Sequence, residues 1–325
     1  MMRIGLTFDL QTDPCDERQA EFDPPRTIEA LTQAFTALGH EVVLLGSVHV
    51  LLTDPRQLDG VALVFNIAEG RHGRCREAWV STLLELYGTA YVGSDPLALS
   101  LGLDKATSKR LAVSSGILTP RWITIDHPRL LPGEIPLDFP VIVKPRYEGS
   151  GIGIDEGAVV YDHQTLAQRV RWLFKRWEEP LVIEEFIAYG ELTVCVIGND
   201  PPAAYPAIQR PVDRTSRLSV HVARAMTGEW EAPLELTQEL DSEARRVAVV
   251  MFEALGCRDI ARIDLRVDEH GRVYFLEINP LPSFDPEGTI GLLAEHLGMT
   301  YTQLIGRLLE AAQLRVASAS AKVGI

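Results

Sequence analysis

Apolar positions along the chain repeat at two periods. Residues 4–8, 42–45 and 61–65 are short apolar runs with the length and composition of buried strands. Between the first two, Ile28, Leu31, Phe35 and Leu38 recur at helical spacing from Thr27 to a stop near Gly39. A second helix is expected over residues 78–86, stopped by Gly88. Strands alternating with helices predict an open parallel sheet, whose ligands lie at the carboxyl ends of its strands. Those ends carry Asp9 with the polar loop after it, and the segment from Asn66 to Gly70. Farther on, a helix is expected over residues 97–114, strands over 122–125 and 141–144, a helix over 165–177 and a strand over 181–184. The last third opens with a strand over 192–197, crosses an irregular Pro- and Arg-bearing stretch, and ends in helices over 242–255 and 300–314. Residues 317–325 are mostly small and weakly patterned and read as a frayed tail.

The clearest period-two pattern lies between those last two helices. Ile263, Leu265 and Val267 alternate with Arg262 and Asp264; after a turn at Gly271, Tyr274, Leu276 and Ile278 alternate with Glu277 and Asn279. Gly271 supplies the positive φ that a tight hairpin needs. Folded, the hairpin brings Asp264, Glu277 and Asn279 to one face with Arg262 beside them. Two carboxylates and an amide oxygen form a hard donor set suited to Mg²⁺ bridged to phosphates. The alternative is a surface hairpin with a polar outer face. Against it stand the poor strand propensity of Asp, Glu and Asn and the phosphate-handling features upstream.

Composition narrows the partners. The chain has 325 residues, 46% hydrophobic, enough for two or three domains. A net charge of −14 argues against nucleic acid or an anionic membrane. The strongest basic cluster, from Arg210 to Arg224, is sparse and lacks interleaved aromatics. Cys15, Cys75, Cys195 and Cys257 stand far apart without metal-ligand spacing and read as free thiols of a reducing compartment. No apolar run approaches the ~20 residues that span a bilayer. The chain enters a strand at its start, so no signal peptide is expected. These features predict a cytoplasmic protein, and a homodimer is the expected assembly.

Two further segments suit a nucleotide. Lys144 ends a buried strand and is followed by a loop with Glu148, Gly149, Ser150, Gly151 and Gly153. Its glycines let backbone N–H groups converge on an anion, Ser150 adds a hydroxyl and Lys144 a point charge for phosphate. It is neither a Walker A loop nor a Rossmann fingerprint, and a flexible hairpin turn is the alternative. Next, Glu184, Glu185, Phe186 and Ile187 leave a strand. Such an edge can pair with adenine through backbone groups while Phe186 and Ile187 cover the ring and Glu191 accepts the ribose hydroxyls. An ordinary strand–turn–strand is the alternative.

In order, Lys105 on an early helix, Lys144 before a Gly-rich loop, the Ile-Glu-Glu-Phe-Ile segment and the Asp…Glu-x-Asn hairpin resemble the ATP-grasp superfamily. Within it the chain resembles the D-alanine–D-alanine ligase family. The resemblance is carried by Val92-Gly93-Ser94 with Leu103-Asp104-Lys105, by Lys144-Pro145 with Glu148-Gly149-Ser150, by Glu191-Leu192-Thr193-Val194, and by Arg262-Ile263-Asp264 with Glu277-Ile278-Asn279. It implies an α/β ATP-grasp fold with an N-terminal open parallel βαβ domain (1–96), a central ATP-grasp subdomain (97–190) and a C-terminal subdomain bearing the Mg-binding hairpin (191–325), the two antiparallel sheets clasping ATP. It implies an ATP- and Mg²⁺ (or Mn²⁺)-dependent ligase that joins the carboxylate of one small amino acid or carboxylic acid to the amine of another through an acyl phosphate. Asp264, Glu277 and Asn279 would hold the metal, and Lys105 and Lys144 would contact phosphates. The loop through Ser150 would close over them, and Arg262 would stabilise the tetrahedral oxyanion.

The family pattern breaks at the amino-acid end. The Gly-Gly-x-Ser-x-Glu loop is replaced by Phe8 to Glu17, continuing into Ala20-Glu21-Phe22-Asp23. The His-Gly segment becomes Glu69-Gly70 with Arg76-Glu77 downstream. A stretch with Arg210, Arg214 and Arg217 stands where the tyrosine- and lysine-bearing loop belongs, and Asn-Thr-Ser-Pro-Gly becomes Asn279-Pro280-Leu281-Pro282-Ser283. The substrate is therefore expected to differ from plain D-alanine, with Glu69, Arg76, Arg210, Arg214 and Arg217 as candidate contacts and an extra carboxylate suggested by the arginines. Solvated faces are the alternative for those arginines, and helix capping for Asp23. A small-molecule kinase of the same superfamily and a non-catalytic nucleotide-binding regulator are the competing functions; the retained Arg262 argues against the second.

Overall fold

The structure, a computed structural model, describes residues 1–219 and 228–323, with side chains as far as 319. Its first sheet is built by β1 (Arg3–Thr7), α1 (Pro25–Ala37), β2 (Glu41–Gly46), α2 (Val48–Thr53), β3 (Leu63–Asn66), α3 (Ala78–Tyr87) and β4 (Tyr91–Val92). The strands run parallel in the order β2-β1-β3-β4. Ile28, Leu31 and Phe35 of α1 bury the apolar stripe that the helical spacing marked. Pro24 takes the N-cap position of α1 without a side-chain bond, so Asp23 does not cap it. Asp23 lies buried instead, its N–H donating to the Asp9 carbonyl.

The expected helix over 97–114 is broken. α4 (Pro96–Leu103) and α5 (Lys105–Ser114) meet at Asp104, whose carboxylate accepts from the N–H groups of Ala106 and Thr107 and holds Arg146 bidentately at 2.7 Å. The break puts Lys105 on the first turn of a new helix, against the Gly-rich loop. β5 (Trp122–Ile125), β6 (Val141–Pro145), β7 (Val159–Val160), α6 (His163–Trp177) and β8 (Leu181–Glu185) then form an antiparallel sheet ordered β5-β8-β6-β7, with α6 covering it.

The third sheet comes from β9 (Gly190–Ile197), β10 (Ala203–Ala204), β11 (Ile208–Arg210), a side hairpin of β12 (Val212–Asp213) and β13 (Trp230–Glu231), α7 (Gln238–Leu255), β14 (Ile260–Val267) and β15 (Val273–Asn279). Its order is β10-β9-β14-β15, with β11 also on β9, and α7 packs on it. α8 (Thr289–His296) and α9 (Tyr301–Val323) turn back onto the first sheet, where Phe284 stacks edge-on to Phe65 at 4.9 Å. The tail read as frayed continues α9 to Val323, because alanines propagate a helix and Arg315 anchors it, donating to Asp259 and to the Tyr91 carbonyl. Residues 324–325, and Arg224 of the basic cluster, lie outside the described residues.

The hairpin departs from strict alternation at one place. Arg262 pairs with Asn279 and Asp264 with Glu277, but the next pair is Leu265 with Phe275, so Leu276 is an extra residue on β15. This bulge reverses the alternation, as bulges do. Val273, Phe275 and Ile278 enter the core, not Tyr274 and Leu276, and Leu276 joins Glu277 on the cavity side. Phe275→Ala should therefore cost about 3–5 kcal/mol, and Leu276→Ala less than half as much. Urea unfolding of the two variants checks this; equal losses would contradict the bulge.

Candidate active site

Between the two antiparallel sheets, and closed on the third side by the β1–α1 loop, lies a cavity of about 500 Å³. Ile142 and Leu276 face it from the two sheets, with Phe186 and Ile187 at the strand exit and Gly149 to Gly151 from the Gly-rich loop. The apolar side chains offer a slot for a flat ring, and the charged ones cluster beyond it.

The charges form a paired set. Lys144 of β6 and Lys109 of α5 both contact Glu184 of β8, Lys109 at 2.8 Å. Although burial works to raise it, the two ammonium groups hold the Glu184 carboxyl down at about 2. Burial lowers Lys109 from its ordinary value. Arg266 lies 3.0 Å from Glu191 and its guanidinium sits 5.3 Å from the Phe186 ring centre. Arg262 holds Asp264 bidentately at 2.9 and 3.2 Å, while Thr193 donates to the same carboxylate at 2.6 Å and the Asn279 amide at 3.2 Å. Lys105 donates to the Glu148 carbonyl and stands 3.5 Å from Glu277.

The Gly-rich loop meets carboxylates of its own chain. Gly149 N–H donates to Glu21 at 2.6 Å and Gly153 N–H to Glu17 at 3.0 Å. Ser150 and Gly151 both take positive φ between these two N–H groups. Arg76, buried behind the loop, bridges Glu21 at 2.6 Å and Glu148 at 3.3 Å.

Every residue assigned to nucleotide, metal or reaction lines this cavity, as does Glu69. Arg76 reaches it only through Glu21 and Glu148. Arg210 is buried on β11 near Asp264 and Arg262. Arg214 and Arg217 do not line the cavity: Arg214 pairs with Glu229 and Glu231, and Arg217 with Glu231 and the carbonyls of Ala188 and Tyr189. They brace the β12–β13 hairpin, which removes the reason for expecting an extra substrate carboxylate. Glu185 faces Arg121 at the rim. Sequence reasoning missed Lys109, Arg266, Thr193, Glu77 and Arg26. Two were within reach of pattern: Arg266 continues the period-two face of Arg262 and Asp264, and Lys109 follows Lys105 by one helical turn.

Three layers of this kind, a parallel sheet and two antiparallel sheets around a slot of paired charges, are the architecture of an ATP-grasp ligase. The family model for the D-Ala–D-Ala ligase C-terminus matches residues 120–310. A D-alanine–D-alanine ligase of Syntrophotalea carbinolica is 34% identical over 89% of this chain and 91% of its own. An uncharacterized protein of Sinorhizobium fredii is 32% identical over 89% of this chain and 88% of its own. Among solved structures, the Bacillus anthracis D-alanine–D-alanine ligase complexed with ATP superposes with a TM-score of 0.77 at 24% identity, covering 98% of this chain and all of that one. The VanG D-Ala:D-Ser ligase of Enterococcus faecalis gives 0.75 at 19%, covering 96% and 99%. The chain belongs to the D-alanine–D-alanine ligase family and is an ATP-dependent ligase.

Glu184 tests the electrostatics of this site. Its depressed pKa means that its stabilisation is present above the ordinary value of 4.5 and lost as pH falls toward about 2. Glu184→Gln, which strands two buried lysines, should cost about 3–5 kcal/mol at pH 7. The gap between wild type and variant in urea unfolding should narrow as pH falls below 4.5. A gap independent of pH would refute the pairing.

Proposed function

We propose that the enzyme joins the carboxylate of one amino acid or small carboxylic acid to the amine of another through an acyl phosphate, and that plain D-alanine is a poor substrate. The observation that carries this is the paired set of cavity charges. Lys105, Lys144 and Arg262 line the slot together with the Asp264–Glu277–Asn279 face, where a triphosphate and its reacting carboxylate would lie. The substrate carboxylate attacks the terminal phosphorus and ADP leaves. The amine then attacks the acyl carbon and phosphate leaves. Lys105 and Lys144 would neutralise the transferring phosphoryl group, and Arg262 the oxyanion of the tetrahedral intermediate. Ser150, at the tip of the Gly-rich loop, would hold that loop over the phosphates.

The hairpin's donors fit a divalent metal. Asp264 and Glu277 are cross-strand partners, Asn279 is next on the same face, and all three oxygen-bearing groups are hard. When bound, Mg²⁺ supplies charge neutralisation for the phosphates.

The residues that the ligases use for D-alanine are replaced here, and Glu69 and the β1–α1 loop line the cavity instead. Sites with unmatched polar groups discriminate strongly against substrates that leave them unpaired. The kinase alternative stops at phosphoryl transfer and needs no oxyanion partner, whereas Arg262 lines the cavity beside the metal face. Three domains are part of this reading, one per large sheet, bounded near residues 96 and 190, as are a homodimer and a cytoplasmic location. Four cysteines without disulfides and the lack of a membrane-spanning helix among the described residues support that location.

Glu277→Gln should lower Mg²⁺-dependent turnover by roughly 10²-fold or more with the fold intact. Near-normal activity at limiting Mg²⁺ would rule out the metal assignment. D-Alanine alone, with saturating Mg-ATP, should give a kcat/KM well below ~10⁴ M⁻¹s⁻¹. Efficient D-alanyl-D-alanine synthesis would overturn the reading of the altered loops.

A further inference from the structure

The cavity carries ten carboxylates against five cations among the described residues. Most are accounted for. Lys144, Arg266, Arg262, Lys105 and Arg26 each face an acid, respectively Glu184, Glu191, Asp264, Glu277 and Asp285. Glu185 is held by Arg121 from outside the cavity, and Glu21 and Glu148 share Arg76. Two remain, Glu69 and Glu77, both on the segment after β3 where the parallel sheet presents its carboxyl ends.

Their side chains make no hydrogen bond and no ion pair among the described residues. Glu77 is only 8% exposed, and that residual surface faces the cavity. It occupies the N-cap position of α3 in helical conformation and makes no capping bond with its side chain, so no local role uses its carboxylate. The nearest cations are committed elsewhere: Arg76 to Glu21 and Glu148, Lys105 to Glu277 and the Glu148 carbonyl. Burial, then mutual repulsion with Glu69's neighbours Glu77 and Glu21, raises the Glu69 carboxyl well above its ordinary range, and burial pushes Glu77 up to about 8. A buried carboxylate without a partner is costly, and the cost is relieved when a cation arrives.

We infer that the Glu69–Glu77 wall binds a cationic side chain of the substrate, so that one of the two joined amino acids is basic, of the lysine, ornithine or arginine class. The inference rests on the ligase reading and names its substrate class. The wall lines the cavity from the segment after β3 of the N-terminal sheet. Two open carboxyls, which a cation brought against them would ionise, with Glu21 already bonded to Gly149 N–H and Arg76, provide one more acidic group than a lone α-ammonium needs.

The test has two readouts on the full-length protein. Calorimetry on the wild type measures binding of lysine, ornithine and arginine, in both chiralities, against alanine and glutamate. ADP release with Mg-ATP is measured for the same amino acids singly and in pairs. A basic amino acid should bind and turn over with a constant at least tenfold better than alanine. Glu77→Gln and Glu69→Gln should each raise the KM of the basic substrate roughly 10- to 100-fold, the value of hydrogen bonds to a charged group, and more than they raise that of alanine. Preference for alanine or glutamate in the wild type overturns the inference without any variant. Equal losses for lysine and alanine assign the wall to the α-ammonium and also overturn it. If lysine binds in calorimetry yet no pair releases ADP, the ligase reading fails while the wall stands.

Discussion

Keeping several cations together out of water is the constraint on which this site is built. Lys144 and Lys109 come from different elements, one from the central strand β6 and the other from α5, and both converge on a single carboxylate, Glu184 of β8. Each ion alone would carry a large desolvation penalty, and the two attractions offset it only because the geometry is held by the sheet and the helix together. The pairing therefore ties α5 to the second sheet, and through Lys105 on the same helix to the hairpin acid Glu277 of the third. The slot between the two antiparallel sheets has its width set by these contacts as much as by its apolar walls.

The first sheet joins this assembly by the same kind of device. Glu17 and Glu21, on the loop after β1, accept from the N–H groups of Gly153 and Gly149, so that the β1–α1 loop and the Gly-rich loop close on each other. On the far side Asp259 accepts from Gly93 N–H and Asn199 and is paired with Arg315 of α9, tying the edge of the parallel sheet to β14 and to the final helix. The layers are thus locked together at two places by carboxylates that bridge them. Acid-rich composition is in this respect structural: many of the acids are internal.

Most of the element order was legible because strands and amphipathic helices impose local periods that need no partner. The hairpin acids were legible for the same reason, since alternation alone puts Arg262 with Asp264 and Glu277 with Asn279. Where a local rule was interrupted by a distant contact, the reading went astray. The helix expected over 97–114 breaks because Arg146, 42 residues away, binds Asp104. The alternation of β15 slips because Phe275 is drawn into the core under α7, leaving Leu276 as a bulge. The tail read as frayed is helical because Arg315 finds Asp259 and Tyr91.

The sequence by itself determined the family and which residue types meet in the slot. Lysines, a Gly-rich loop and a hard-oxygen hairpin occur in an order and spacing that few folds share. What only the tertiary structure decided was the charge accounting. Arg210, Arg214 and Arg217 look like substrate ligands in one dimension. In three, Arg214 and Arg217 are neutralised by Glu229 and Glu231, and Arg210 is buried beside Asp264 and Arg262 without lining the cavity itself. Glu69 and Glu77 look like ordinary loop acids, yet among the described residues they are the pair left open to the cavity. Charge pairing falls steeply with distance and depends on burial, and neither distance nor burial is written in the order of residues.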